Sequence, residues 1–191
     1  MCDALWLSSV ALFAVGPAVA TRAFMRRRRE PSPVRARNRG WRSHVPAVLL
    51  PVEWLLVPAL IAFRVGEIDA RWLPLRLIGL AIGLAGAAVL VWASVVLGPF
   101  MIHAAAVSEN HALVERGPYR FVRHPVYAGY LALLLGSGLA SLNLSVLSIW
   151  PVALSGILIQ AGSEEQVLRE KLTANYDQYA RRTGRLFPRL F

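Results

Sequence analysis

Two polar clusters stand out in a chain that is otherwise mostly apolar. The first is Arg123-His124-Pro125-Val126-Tyr127, and the second is the pair Glu164-Glu165. Pro125 suits the first turn of a helix, where its missing N–H matters least. Arg123 and His124 would then lie beside the unpaired backbone N–H groups of that helix start, which attract a carboxylate or phosphate. The two carboxylates can hold hydroxyls, an amine or a metal.

Further polar and aromatic residues surround these clusters in the sequence. Gly117-Pro118 marks a turn, and Tyr119 and Tyr127 offer ring faces and hydroxyls. Leu168, Leu172, Tyr176 and Tyr179 recur at helical spacing, which predicts an amphipathic helix that covers the site or lies on the membrane. Tyr, Arg and His also gather at membrane interfaces without any role in binding. The density of motifs favours a ligand site over such a belt.

Metal binding is disfavoured by the same residues. The only cysteine, Cys2, is at the far terminus, and the four His lack the spacing of metal ligands. A single cysteine also excludes an internal disulfide. We therefore predict no metal at the polar site.

The distribution of charge indicates an integral membrane protein. Apolar residues make up 56% of the chain, yet the net charge is +10, and the charges lie between long apolar blocks. A soluble nucleic-acid-binding protein would spread its basic residues along polar faces. The arginine run at residues 26–29 is accordingly interpreted as a contact with anionic lipid, not as a nucleic-acid arm.

Five segments are long and apolar enough, or nearly so, to cross a bilayer, which takes about 20 residues. They predict an all-α, polytopic membrane bundle, with spans at roughly 4–24, 45–65, 74–98, 125–142 and 144–163. The first lacks a basic region before it, so it is interpreted as a retained span and not as a cleaved signal. The last two meet at Asn143, a plausible turn residue in a helical hairpin.

The basic residues also predict the orientation of the chain. The loop 22–44 and the segments 99–124 and 164–191 carry 18 of the 21 Lys and Arg residues and lie on one side of a five-span bundle. The positive-inside rule then places the N-terminus outside and the C-terminus, with both polar clusters, in the cytoplasm.

Two features lie within the predicted spans. Gly79, Gly83 and Gly86 are spaced for close helix contact, which is common in membrane bundles. Glu53 is a carboxyl in mid-span, and such a group is either functional or hydrogen-bonded to another helix. We favour the hydrogen-bonded interpretation.

The motifs in their order resemble the isoprenylcysteine carboxyl methyltransferase family, whose general plan phospholipid N-methyltransferases share. The resemblance depends on His-x-Leu-Val, Gly-Pro-Tyr, Arg-His-Pro-x-Tyr, Glu-Glu and the tail Tyr176-x-x-Tyr179…Phe187-Pro188. It covers about residues 75–191, which we take as the methyltransferase-like core with a cytoplasmic cofactor site. Residues 1–74 form an N-terminal part of transmembrane helices and a basic cytoplasmic loop.

This resemblance implies S-adenosylmethionine as the methyl donor, held by a helical membrane fold without a Rossmann sheet. It assigns cofactor contacts to His111, Ala112, Leu113, Val114, Tyr119, His124, Pro125, Val126, Tyr127 and Glu164. A lipophilic small molecule or lipid, methylated on O, S or N, would be the substrate. No nucleic-acid partner is implied, and no catalytic residue or oligomeric state is specified.

The substrate side departs from the family pattern at one position. In that family an Arg associated with the substrate carboxylate lies four residues before the first Glu, where this chain has Gln160. A neutral amide cannot form the bidentate pair that Arg forms, which disfavours a prenylcysteine-type carboxylate. Gln160, Arg123 and Glu165 are the candidate substrate-binding residues.

Two other functions share part of this pattern. An NADPH-dependent membrane reductase of the sterol-reductase type also has a His-Pro-x-Tyr-like element and a tail with spaced aromatic residues. Adjacent Glu164 and Glu165 favour the methyltransferase, because carboxylates suit a cationic cofactor better than a polyphosphate. A non-catalytic membrane protein with this fold is the third hypothesis.

Overall fold

The computed structural model describes a helical protein with one small strand ladder. It covers residues 11, 13, 15, 18, 19, 34–37, 45–68, 72–98, 106–108 and 113–189. The helices are α1 (Val45–Ala62), α2 (Leu73–Leu97), α3 (Pro125–Ser141) and α4 (Leu144–Arg182), with a 3₁₀ turn at Gly117–Arg120. Strands β1 (Val34–Arg37) and β2 (Ala106–Ser108) pair antiparallel, a feature that the sequence analysis did not predict.

The described parts of the predicted spans are helical except at two ends, where residues 63–65 and Leu142 lie in turns. Helix α2 and the first 29 residues of α4 are long and apolar enough to cross a membrane, with mean hydropathies of 2.4 and 1.8. Val52–Ala62 and Pro125–Ser141 are shorter apolar helices. The five described residues within the predicted first span, 4–24, are helical. A membrane helical fold is therefore supported, while the number of five spans stays a prediction.

Helices α2 and α3 approach each other through glycines. A Cβ atom at Gly129 would lie 2.7 Å from the backbone nitrogen of Leu90, and one at Gly86 would lie 2.5 Å from that of Leu133. Gly79 and Gly83, which the sequence analysis also noted for their spacing, are buried on α2 together with Gly86. The small residues thus allow backbone-to-backbone contact, which fixes α3 against α2.

A tight turn joins α3 to α4, as predicted. Leu142 ends α3 in the left-handed region at φ 50°, and Asn143 caps α4 by accepting a hydrogen bond from the Val146 amide at 3.0 Å. The Asn143 side-chain amide also donates to the carbonyl of Leu60 at 3.3 Å. This one side chain therefore links the hairpin to the end of α1.

Helix α4 continues well past the predicted span. It has 39 residues, so the predicted C-terminal amphipathic helix is the second half of α4 and not a separate element. Tyr176 and Tyr179 in this half are buried, and the Tyr179 hydroxyl donates to the Tyr119 carbonyl at 2.7 Å. Tyr179 therefore packs onto the loop before α3, and the Tyr176 ring packs against Tyr179 with centroids 6.1 Å apart.

The mid-span carboxyl, Glu53, is buried against α3. It accepts a hydrogen bond from the Tyr130 hydroxyl, and the Tyr130 ring packs against Trp54, with centroids 5.4 Å apart. This is the hydrogen-bonded arrangement that we favoured from the sequence.

Candidate functional site

The segment that leads into α3 brings the first polar cluster to a helix start. Gly117 has φ +60°, a conformation that suits glycine, and begins the 3₁₀ turn that carries Tyr119. His124 is the residue before the first helical turn, and Pro125 lies within that turn, as predicted. His124 and Pro125 are both buried, so the helix start faces the protein interior.

The tail after α4 folds back along this segment. The amide of Arg123 donates to the Gly184 carbonyl at 2.8 Å, and the amide of His124 donates to the Arg185 carbonyl at 3.0 Å. In return, the Gly184 amide donates to the Phe121 carbonyl at 3.2 Å. The backbone around His124 is therefore fixed by the C-terminal tail.

Glu164 is the centre of one half of the site. Its Oε1 accepts hydrogen bonds from the Tyr127 hydroxyl at 2.6 Å and from Gln160 Nε2 at 2.8 Å, while its Oε2 lies 3.4 Å from His124 Nδ1. The His124 and Tyr127 rings stack with centroids 5.6 Å apart. The Glu164 side chain keeps 19% exposure, so its carboxylate can still accept hydrogen bonds from a ligand.

Glu165 has a different environment, although it is adjacent in sequence. Its side chain is fully buried, and it accepts hydrogen bonds from Arg123 Nε at 3.0 Å and from Arg185 Nε and Nη2 at 3.0 and 2.9 Å. Arg169 adds an ion pair at 3.6 Å. The Arg123 guanidinium also donates to the carbonyls of Ala180 and Thr183. Glu165 and Arg123 are thus occupied with each other and with the tail.

His124 lies between the two carboxylates. Its Nε2 is 3.4 Å from Glu165 Oε1, within ion-pair distance but outside hydrogen-bond geometry. Burial lowers the pKa of His124, but the contacts with Glu164 and Glu165 raise it by more than burial lowers it. The pKa of His124 therefore lies above its ordinary value. The imidazolium form is therefore favoured, and it places a positive charge at the start of α3.

The structure brings together only some of the predicted site residues. Tyr127, His124, Gln160 and Glu164 form one connected cluster. Leu113 and Val114 are half-buried in the extended segment before the 3₁₀ turn, Tyr119 is buried there, and Val126 packs on the helical core. His111 and Ala112 lie outside the described residues.

Arg185 is a site residue that the sequence analysis missed. It lies on the irregular tail, and neither helical spacing nor a motif marks it. Its position beside Glu165 depends on the tail folding back, which no local pattern indicates.

Comparison with known proteins supplies a family for the part of the chain that contains this cluster. Residues 77–169 match the isoprenylcysteine carboxyl methyltransferase (ICMT) family. The match begins at Leu77 within α2, contains all of α3 and ends at Arg169 within α4. It therefore contains His124, Tyr127, Gln160 and Glu164.

A solved structure has the same fold as most of this chain. It is the eukaryotic intramembrane Ras methyltransferase ICMT, matched at a TM-score of 0.52 and 23% sequence identity, over 79% of this chain and 53% of that chain. The likeness at this identity concerns the fold alone. Together with the apolar helices, it supports a membrane helical fold.

Two bacterial relatives match part of the chain. The cobalt-zinc-cadmium resistance protein CzcN of Cupriavidus metallidurans is 33% identical over 82 residues, which are 43% of this chain and 38% of that protein. The nickel-cobalt-cadmium resistance protein NccN of Alcaligenes xylosoxydans xylosoxydans is 32% identical over 78 residues, 41% and 37% of the two chains. Each match therefore spans less than two-fifths of the relative's length.

Proposed function

We propose that the protein is a membrane methyltransferase that uses S-adenosylmethionine and methylates the O, S or N atom of a lipophilic small molecule or membrane lipid. The observation that carries the proposal is the partly exposed Glu164 carboxylate, fixed by Tyr127 and Gln160 beside His124. On α4 this cluster lies in the C-terminal half of the apolar part, where a polar cofactor and an apolar methyl acceptor can meet.

The chemistry of the cluster fits a methyl donor that carries one carboxylate and several groups able to donate hydrogen bonds. Glu164 Oε2 faces His124 at 3.4 Å and has room to accept from an amine or a ribose hydroxyl. The favoured imidazolium of His124, at the start of α3, suits the methionine carboxylate. Half-buried Leu113 and Val114 offer apolar contact to a base, and the family resemblance adds His111 and Ala112.

The protein's contribution to the reaction is mainly positional. When bound, S-adenosylmethionine supplies an activated methyl group on a sulfonium, so the acceptor needs alignment more than activation. Tyr127 and Gln160 fix the rotamer of Glu164, and the hydrogen bonds from the tail fix the backbone of Arg123 and His124.

The proposed site is cytoplasmic, with the C-terminus inside and the N-terminus outside. The support is the distribution of charge. Of the 21 Lys and Arg residues, 18 lie in the three segments that the five-span prediction places on the same side of the membrane as the site. The lipophilic acceptor would then reach the site from the membrane, between helices.

Calorimetric titration of the purified full-length protein with S-adenosylhomocysteine tests the proposal. We expect saturable binding by the wild type and loss of at least about tenfold in affinity for Glu164→Ala, since the carboxylate makes charge-assisted bonds. Glu170→Ala is the matched control, because Glu170 is an exposed carboxyl on the same helix.

A parallel titration with NADPH distinguishes the methyltransferase hypothesis from the reductase hypothesis. Retention of NADPH and not of S-adenosylhomocysteine would contradict the methyltransferase. Binding of S-adenosylhomocysteine that is unchanged in Glu164→Ala would contradict the proposed site.

A further inference from the structure

Gln160 is a buried amide one helical turn before Glu164 on α4. The side chain has 1% exposure, and its Nε2 donates to Glu164 Oε1 at 2.8 Å. This bond fixes the orientation of the amide, because a carboxylate accepts from the NH₂ group and would repel the carbonyl oxygen. Gln160 Oε1 is therefore on the side of the amide turned away from Glu164.

The Gln160 carbonyl oxygen is an acceptor without a donor in the part of the chain that the structure describes. Buried polar groups in proteins are nearly always hydrogen-bonded, so an unpaired buried acceptor beside the Glu164 cluster indicates a hydrogen-bond donor on the ligand. Gln160 precedes Glu164 along α4 and lies further into the apolar segment. A lipophilic methyl acceptor would approach from that segment.

The charges around Gln160 also select the ligand. The nearest carboxylate, Glu164, is in direct contact with Gln160. The nearby cations already have carboxylate partners, since His124 lies 3.4 Å from both Glu164 and Glu165, and Arg123 is directed to Glu165. A carboxylate placed at Gln160 Oε1 itself would be repelled by that oxygen and by Glu164, whereas an O–H or N–H group would be attracted.

We propose that Gln160 Oε1 accepts a hydrogen bond from the methyl acceptor, and that the acceptor is a lipophilic O–H or N–H compound (a phenol, an enol or an amine) and not a carboxylate. This inference rests on the proposed function and narrows its substrate class. A thiol fits less well, because S–H is a weak donor.

The reaction balances with such an acceptor. The lone pair of the acceptor O or N forms the new bond to the methyl carbon, and the sulfonium sulfur keeps the electron pair of the bond that breaks. The acceptor's proton is released to water.

The first experiment determines the class of the methylated product. Full-length protein in lipid nanodiscs is incubated with methyl-labelled S-adenosylmethionine and a lipid extract of the membranes in which the protein is native. We expect alkali-stable label, since methyl ethers and methylamines resist alkali. Release of the label as methanol identifies a methyl ester and would overturn the inference, while the proposed function would stand.

The same incubation, taken with the S-adenosylhomocysteine titration, distinguishes failure of the proposed function from failure of the inference about the methyl acceptor. If S-adenosylhomocysteine does not bind and no label is transferred, the proposed function fails and the inference with it. If S-adenosylhomocysteine binds and only esters form, the inference alone fails.

The second experiment measures binding and needs no turnover. Gln160→Arg keeps a hydrogen-bond donor toward Glu164 but has no acceptor oxygen. Gln166→Arg is the matched control, because the exposed Gln166 donates to Glu170 with the same spacing of four residues. Protein saturated with S-adenosylhomocysteine is titrated with a long-chain alkylphenol and with the fatty acid of equal chain length.

We expect the wild type and Gln166→Arg to prefer the phenol, and Gln160→Arg to lose about tenfold in phenol affinity and to gain affinity for the acid. Affinity for S-adenosylhomocysteine should change far less. A wild-type preference for the acid would overturn the inference. A Gln160→Arg variant that loses S-adenosylhomocysteine and leaves phenol affinity unchanged would assign Gln160 to the cofactor and overturn it too.

Discussion

Arg185 donates two parallel hydrogen bonds to Glu165, from Nε to Oε1 at 3.0 Å and from Nη2 to Oε2 at 2.9 Å. The carboxylate is fully buried, while Arg185 is 41% exposed and comes from the tail. The carbonyl of the same Arg185 accepts from the amide of His124. One tail residue therefore bonds both to α4 and to the start of α3, on which His124 lies.

Removal of the Glu165 carboxylate is expected to be costly. Glu165→Ala leaves Arg123 buried without its partner, so we expect a loss of about 3–5 kcal/mol in the free energy of unfolding. Arg185→Ala should cost less, roughly 1–2 kcal/mol, because Arg123 still pairs with Glu165 and Arg185 is partly exposed. Equilibrium unfolding in mixed micelles measures both. Arg116→Ala, at an exposed position, is the control. Equal stability of wild type and Glu165→Ala would show that the ion pairs contribute nothing.

The pKa of His124 predicts a pH dependence of stability. Contacts with Glu164 and Glu165 raise the pKa of the buried imidazole above its ordinary value of 6.5, although burial opposes them. The stabilisation is therefore fully present below about pH 6.5 and is lost as the pH rises through the higher folded-state pKa. We expect the free energy of unfolding to fall over that range in the wild type.

His124→Gln tests this titration. The variant should lose the pH-dependent decline above about pH 6.5, and Glu164→Gln should reduce it. Affinity for S-adenosylhomocysteine should decline over the same range if the imidazolium holds the ligand's carboxylate. A slope that is identical in wild type and His124→Gln would assign the titration to another group.

Close contact between α2 and α3 makes Gly129 sensitive to substitution. A Cβ at this position would lie 2.7 Å from the nitrogen and 3.0 Å from the Cα of Leu90, and backbone atoms cannot move aside as a flexible side chain can. We expect Gly129→Ala to cost about 1–3 kcal/mol in the free energy of unfolding.

Gly156→Ala is the matched control for this substitution. Gly156 lies within α4, and nothing lies within 4 Å of an added Cβ. It should leave stability unchanged or raise it by up to about 1 kcal/mol, because alanine favours a helix over glycine. Similar effects at the two glycines would mean that helix propensity, and not contact, controls this position.

The turn between α3 and α4 depends on Asn143. Asn143→Ala removes both the cap on the Val146 amide and the bond to the Leu60 carbonyl, so we expect a loss of about 1–2 kcal/mol. Asn143→Asp keeps the capping oxygen and loses only the amide donor. Thermal unfolding in detergent should place Asn143→Asp between the wild type and Asn143→Ala. The reverse order would assign the stabilisation to the Leu60 contact.

Local pattern was enough to predict the helical framework. Long apolar blocks bounded by charge identified the helices, Pro125 placed the start of α3, and Asn143 placed the turn before α4. These predictions depend on the cost of burying charge and on backbone preferences, which act within a few residues. The mid-span Glu53 was also expected to find a hydrogen-bond partner, but its identity, Tyr130, depends on how α1 and α3 pack.

The roles of the two adjacent glutamates were decided by the tertiary structure. Glu164 and Glu165 are the same residue type, but successive helical residues point about 100° apart. Glu164 therefore faces Tyr127 and His124 and keeps some exposure, while Glu165 is buried among arginines. Arg185 reaches Glu165 only because the tail folds back. The sequence alone determined which residue types were available and on which helices, whereas their partners depend on long-range packing that no local pattern encodes.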